Sequence, residues 1–209
     1  MKTITKNSVA VGIIFTLVLM TIAMLQYPGG TYLDATTIGY DWAHNFISNL
    51  FKEKALNGAE NSAQYWAFAG MFFYAFTCAL FFIHTAKKIP NSTAANFIKY
   101  TGILTMPCIL MVATPFHDLM LAISNYLFWA CIIAITVYLL KSKSYLLAFY
   151  ALFCLLIFYY ATYLYIAQSW ETLVIVQKVN NLSAIILIFS IEYFTTKESF
   201  QIAAKKQIR

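Results

Sequence analysis

Charge is what this chain has least of. Only 11% of its 209 residues are Asp, Glu, Lys or Arg, against about a quarter in a soluble domain. Histidine occurs 3 times and cysteine 4 times. Cys78, Cys108, Cys131 and Cys154 each sit alone inside an apolar run, so the sequence holds no CxxC and no Cys/His zinc motif. They read as small buried hydrophobes rather than disulfide partners or metal ligands. HExxH and HxxxH are absent as well. No internal repeat is evident, which leaves an inverted-repeat transporter without positive support. The net charge of +6 does not signal nucleic-acid binding, because no basic patch interleaved with exposed aromatics stands apart from the apolar runs.

Hydrophobicity fills the space that charge leaves. The chain is 61% hydrophobic and 18% aromatic, the composition of a multi-pass membrane protein. Apolar runs over about 9–25, 65–84, 97–113, 119–140, 145–167 and 173–194 are of membrane-crossing length. They predict an all-α bundle of six transmembrane helices, one integral domain over 1–209. The first run resembles a signal peptide. It lacks a small-x-small cleavage site near Gln26 and is expected to remain as a span. YPGG at 27–30 stops it, Pro107 is expected to kink the third span, and the tyrosines of the fifth are expected to pack.

Lys2, Lys6, Lys87, Lys88, Lys99, Lys141, Lys143, Lys197, Lys205, Lys206 and Arg209 fall on one side of this topology. Only Lys52, Lys54 and Lys178 fall on the other. Basic loops stay in the cytoplasm, so both termini are expected there, with the basic tail 195–209, and the loop 26–64 outside. The Lys/Ile/Phe/Tyr-rich usage suggests a bacterial plasma membrane.

Residues 39–53 (GYDWAHNFISNLFKE) read as an amphipathic helix lying on the outer membrane surface. Trp42, Ala43, Phe46, Ile47, Leu50 and Phe51 form its apolar stripe; Asp41, His44, Asn45, Ser48, Asn49 and Lys52 form the opposite face. With His117, Asp118, Ser124 and Asn125 of the third turn and fourth span, and Glu171, Gln177, Lys178 and Asn181 of the sixth span, it gathers polar groups at one end of the bundle.

A ligand pocket is therefore expected from His44, Ser48, Asn49, His117, Asp118, Asn125, Gln177, Lys178 and Asn181. Lys178 carries two readings. It either reaches outward or pairs with Asp118 or Glu171, or it faces the bundle and meets an anionic ligand group. Catalytic candidates are His44, Ser48, His117 and Asp118, and any zinc would fall to His44, His117 and Asp118. Structural hydrogen bonding is the preferred reading of those histidines, so no cofactor is predicted.

YPGG at 27–30, NFISNL at 45–50 and VATPF at 112–116, in a six-span order, resemble bacterial and archaeal multi-pass families of unknown function. Those families are distantly similar to the Frag/DRAM/Sfk six-span group. The resemblance implies roles around membrane lipids, such as sterol or phospholipid organisation and lipid-anchor remodelling. Asn49 stands where that group carries an acidic residue. The alkaline ceramidase and adiponectin-receptor superfamily needs paired histidines in its last span, and this chain has none after His117.

Three functions are thus expected in order of preference. The first is a non-enzymatic protein that binds or organises membrane lipid. The second is a metal-dependent or acid–base hydrolase of a lipid or lipid-linked substrate. The third is a small-solute transporter, ranked last because few charges lie at mid-membrane depth.

Overall fold

A computed structural model describes residues 2–112 and 114–200, with residues 2–6 described by backbone only. It is all-helical: α1 Lys2–Gln26, α2 Ala63–Lys88, α3 Ser92–Met111, α4 His117–Lys141, α5 Tyr145–Ile166 and α6 Trp170–Phe194. Among the described residues the only strand-like pairings are isolated bridges, Gly29 with Ile38 and Lys54 with Glu60. Six helices are long and apolar enough to cross a membrane. The protein is a six-helix membrane bundle in which short turns return each of α3, α4, α5 and α6 against the helix before it.

Local chemistry sets the helix ends. Asn91 accepts the Ala94 amide at 2.9 Å, so α3 starts about a turn earlier than hydropathy alone suggests. Pro107 lies inside α3, close to its end at Met111. The α4–α5 and α5–α6 reversals are tight, with Lys143 and Gln168 at φ 59 and 55. Residues 201–209, most of the expected basic tail, lie outside the described residues; Phe200 just before them is 1% exposed, packed into the core.

The core runs through α2, α4 and α6, where Phe81, Phe82, Ile132, Ile135, Leu187 and Ile191 are buried. Cys78, Cys131 and Cys154 are free and buried with them, as small hydrophobes. Packing is closest among α1, α2 and α3. There Gly102 on α3 lets the Phe82 ring approach the backbone so nearly that a Cβ would overlap it. Leu146, Leu156 and Ile166 of α5 are mostly exposed, on a face fit for lipid. The pairing loosens between α4 and α5, and a cavity opens there.

At the end of the bundle near the termini, Glu192 on α6 ties α2 down. His84 Nδ1 lies 2.7 Å from Glu192 Oε1, and Lys88 Nζ donates to Glu192 Oε2 at 3.2 Å and to the Glu192 carbonyl at 2.7 Å. Lys88 thus pairs this buried carboxylate with a cation, as a charge at a membrane helix requires.

The loop between α1 and α2 departs from the sequence reading. In place of an amphipathic helix over 39–53, only Ile47–Phe51 is helical, as a short 3-10 turn. The expected faces are kept only in part: Phe46 and Leu50 of the apolar stripe are buried, and His44 and Lys52 of the polar face are exposed. Trp42, assigned to the apolar stripe, is 61% exposed, while Asn45 and Asn49, assigned to the polar face, are fully buried. The cause is side-chain capture of the backbone. Asp41 Oδ1 accepts the Ala43 amide, Asn45 Oδ1 accepts the Asp41 amide, and Asn45 Nδ2 donates to the Gly30 carbonyl, all within 2.8 Å. Those bonds close local turns that a helix would have to break.

Candidate functional site

The loop is a built cap rather than a slack connection. Tyr27 is buried, and its hydroxyl accepts the Leu56 amide at 3.1 Å. Burial pushes the Tyr27 hydroxyl above its ordinary range. Gly30 follows at φ +85, and a Cβ there would run into the backbone of Leu56 and Asn57. Its neighbour Gly29 accepts from the Asn57 amide at 3.3 Å. YPGG therefore does two jobs: it ends α1, and it threads the chain between two other turns of the cap.

Asn45 is the hub that fixes this cap to α6. Besides its side-chain bonds, its carbonyl accepts from the Tyr40 hydroxyl at 3.0 Å and from Lys178 Nζ at 2.7 Å. Lys178 Nζ also donates to the Val174 carbonyl at 3.1 Å and lies 5.8 Å from the centre of the Tyr40 ring. Burial raises the Tyr40 hydroxyl further above its usual value, with the Asp41 charge adding to it. Lys178 reaches outward, as one of its readings had it, to the loop carbonyl of Asn45 and to Val174 a turn nearer the start of α6. It pairs with neither Asp118 nor Glu171, and it does not line the cavity; it is a rivet between a membrane helix and the loop above it. A second link runs from the Ile47 amide to Gln177 Oε1 at 3.2 Å.

Under the edge of the cap lies a cavity of about 1010 Å³ walled by α4, α5, α6 and the loop. Each helix contributes one face. From α4 come His117, Asp118, Leu121, Ala122, Asn125 and Tyr126; from α5, Phe158, Ala161, Thr162 and Tyr165; from α6, Trp170, Leu173, Gln177, Asn180 and Asn181. These are i, i+3/i+4, i+7 stripes, the spacing of a single helix side. Ser48 and Phe46 close it from the loop. Asn125 sits two turns into α4, about 12 Å along its axis, and Asn181 three turns into α6, roughly 16 Å. The polar lining thus reaches from the bundle end to about the middle of a 30 Å hydrocarbon layer.

The structure brings together Ser48, His117, Asp118, Asn125, Gln177 and Asn181 of the expected site, along with Glu171. It separates the rest. His44 lines a different pocket, of about 30 Å³, and pairs with Asp41 at 2.8 Å. That hydrogen bond is the chief reason the Asp41 carboxyl lies below the ordinary carboxylate range. Asn49 is fully buried beneath the cap with both side-chain polar atoms unpartnered. Among the described residues no three His, Cys, Asp or Glu side chains form a group able to hold a metal ion. The shared His44, His117 and Asp118 ligand set is therefore not assembled.

The aromatic walls, Tyr126, Phe158, Tyr165 and Trp170, were missed as site residues. The signal was present in α5, where Phe158, Ala161, Thr162 and Tyr165 repeat at helical spacing with a small residue and a hydroxyl between the rings. Asn180 also lines the cavity, though its Oδ1 is sequestered without a partner. His117 Nδ1 lies 2.8 Å from Asp118 Oδ1, which leaves Nε2 without a partner among the described residues. Comparison of the chain with known protein families, with characterised proteins and with solved structures finds no match.

Proposed function

We propose that this protein binds or organises membrane lipid by seating a head group in the cavity between α4, α5 and α6. One observation carries the reading: a cavity of about 1010 Å³ in a membrane bundle, polar near the mouth and along one wall, aromatic along the other. Carboxamides two to three turns inside a membrane helix are costly against hydrocarbon and are tolerated where they face a polar space. A volume of this size suits a drug-sized or larger organic ligand, and its mixed walls suit an amphiphile. The resemblance to six-span families with lipid roles points the same way.

The positive-inside bias of the sequence supports cytoplasmic termini and a cavity mouth at the outer surface, in what we read as a bacterial plasma membrane. The test is native mass spectrometry of the protein released from mild detergent. A lipid is expected to stay bound. It is expected to be lost from Ala122→Phe and Ala161→Trp, which fill the cavity from α4 and α5. Equal lipid retention by folded wild type and both variants would refute the pocket.

A second reading rests on the His117–Asp118 pair facing the same cavity as Ser48. Asp118 holds the imidazole through Nδ1, so Nε2 is the atom that would take a proton from a water attacking a lipid ester. Under this reading His117→Ala abolishes turnover of a bound ester while lipid retention is unchanged. An absence of any turnover by wild type leaves binding as the whole activity.

A further inference from the structure

We propose that the cavity selects an uncharged, polyhydroxylated head group, the glycosyl head of a membrane glycolipid or the same sugar free in solution. The inference rests on the lipid-pocket reading above and names the chemistry that pocket takes.

The hydrogen-bonding inventory of the walls argues for it. Asn125 on α4 and Asn181 on α6 line the cavity, and neither side chain hydrogen-bonds to another described residue. Gln177 has its Oε1 taken by the Ile47 amide, which leaves its amino group. A carboxamide offers a donor and an acceptor side by side, and a hydroxyl does the same. Carboxamides on two facing helices therefore match a ligand with several hydroxyls spread over a ring.

The competing head groups fit worse. A phosphate needs cations or many donors, and among the described residues no Lys or Arg lines this cavity. Of the amines beside its lining, Lys178 is spent on the carbonyls of Asn45 and Val174, and Lys52, on the exposed loop, lies 3.5 Å from the hydroxyl of Tyr32. Asp118 and Glu171 line the cavity instead, and their charge repels an anion. A quaternary ammonium would be drawn to those carboxylates and to Trp170. It has no hydrogen to donate and no lone pair to accept, however, so it would leave the carboxamides unpaired. A sugar satisfies all three groups of residues: hydroxyls to the amides and carboxylates, and its C–H face against the ring of Trp170 or Tyr126.

The experiment is a competition read by native mass spectrometry, in a detergent without a sugar head. Monoglucosyldiacylglycerol, phosphatidylglycerol and phosphatidylcholine with identical acyl chains are offered in equal amounts to the full chain. The glucosyl lipid is expected to be retained about tenfold over the others. Asn125→Leu with Asn181→Leu is expected to level that preference. Asn181→Gln, which keeps the carboxamide, is expected to hold part of it, and far-ultraviolet circular dichroism checks that each variant is folded.

Displacement of the glucosyl lipid by methyl glucoside supports recognition of the sugar alone. Failure to displace, with the lipid preference intact, supports the glycolipid as the source. A preference for either phospholipid, or equal retention of all three, overturns this inference and leaves the lipid pocket standing. Retention of none by the folded wild type overturns both.

Discussion

Asn45 illustrates how one side chain can outweigh a helical pattern. Its amide bonds to the Asp41 amide and to the Gly30 carbonyl, and both contacts are sheltered from water. Each such bond is worth about 1 kcal/mol net, and a partner left unsatisfied in a buried place costs more. Asn45→Ala is expected to destabilise the cap by about 2 kcal/mol, read as faster amide hydrogen exchange over residues 28–41 than in the core helices. Core exchange rising in step would instead mean that the cap and bundle unfold as one unit.

Asp41 makes a pH prediction at the same scale. Its carboxyl is held below the ordinary carboxylate range, first by the hydrogen bond from His44. A depressed folded value means that the stabilisation is complete above the ordinary carboxylate pKa and is lost as pH falls through the folded one. Titration of Asp41 by carboxyl-detected NMR is expected to give a midpoint below the ordinary carboxylate value, and His44→Ala is expected to move it upward. No movement would mean that the Ala43 and His44 amides alone set it.

At the scale of elements, the bundle has a tight half and a loose half. Small residues at crossings, such as Gly102 beneath Phe82, draw α1, α2 and α3 together. The pairing of α4 with α5 is looser, and the space left becomes the cavity. The junction of α2 and α6 is held at one end by Glu192 with His84 and Lys88, all largely buried. Removing one member of a buried ionic group leaves the others uncompensated, at about 3–5 kcal/mol. Glu192→Leu is expected to cost stability on that scale in a denaturant titration, and Glu192→Leu with Lys88→Met to recover much of it. A double variant as unstable as the single one would show that Glu192 acts chiefly through His84.

For the whole molecule, the question is which end faces which compartment. The loop over 27–62 and the cavity mouth share one end, and the Lys88, Lys141 and Lys143 turns share the other. Asn57 is exposed at the first end and Ser142 half-buried in a turn at the second. In a Cys108→Ala background, Asn57→Cys is expected to react with a membrane-impermeant maleimide on intact cells, and Ser142→Cys only after lysis. The reverse pattern would invert the orientation and put the cavity mouth in the cytoplasm. Cys78, Cys131 and Cys154 are buried and should stay silent.

The six spans were legible because membrane crossing is a matter of local length and hydropathy, and each helix satisfies its own backbone. The polar end of the bundle was legible in part for the same reason. Once the spans alternate, Ser48, His117, Asn125, Gln177 and Asn181 must fall near one another. What the tertiary structure alone decided is which polar group does which work. Hydropathy could not show that Asn45 and Asn49 are buried while Trp42 is exposed, since side chains closing turns override a helical period. Nor could it show that the Lys178 amine is taken by a carbonyl 133 positions away in the chain. Those outcomes follow from contacts between distant segments, and so does the separation of His44 from His117. The sequence by itself determined a six-helix membrane bundle with one polar end; packing determined that this end holds a cavity, and which side chains are left free to meet a ligand in it.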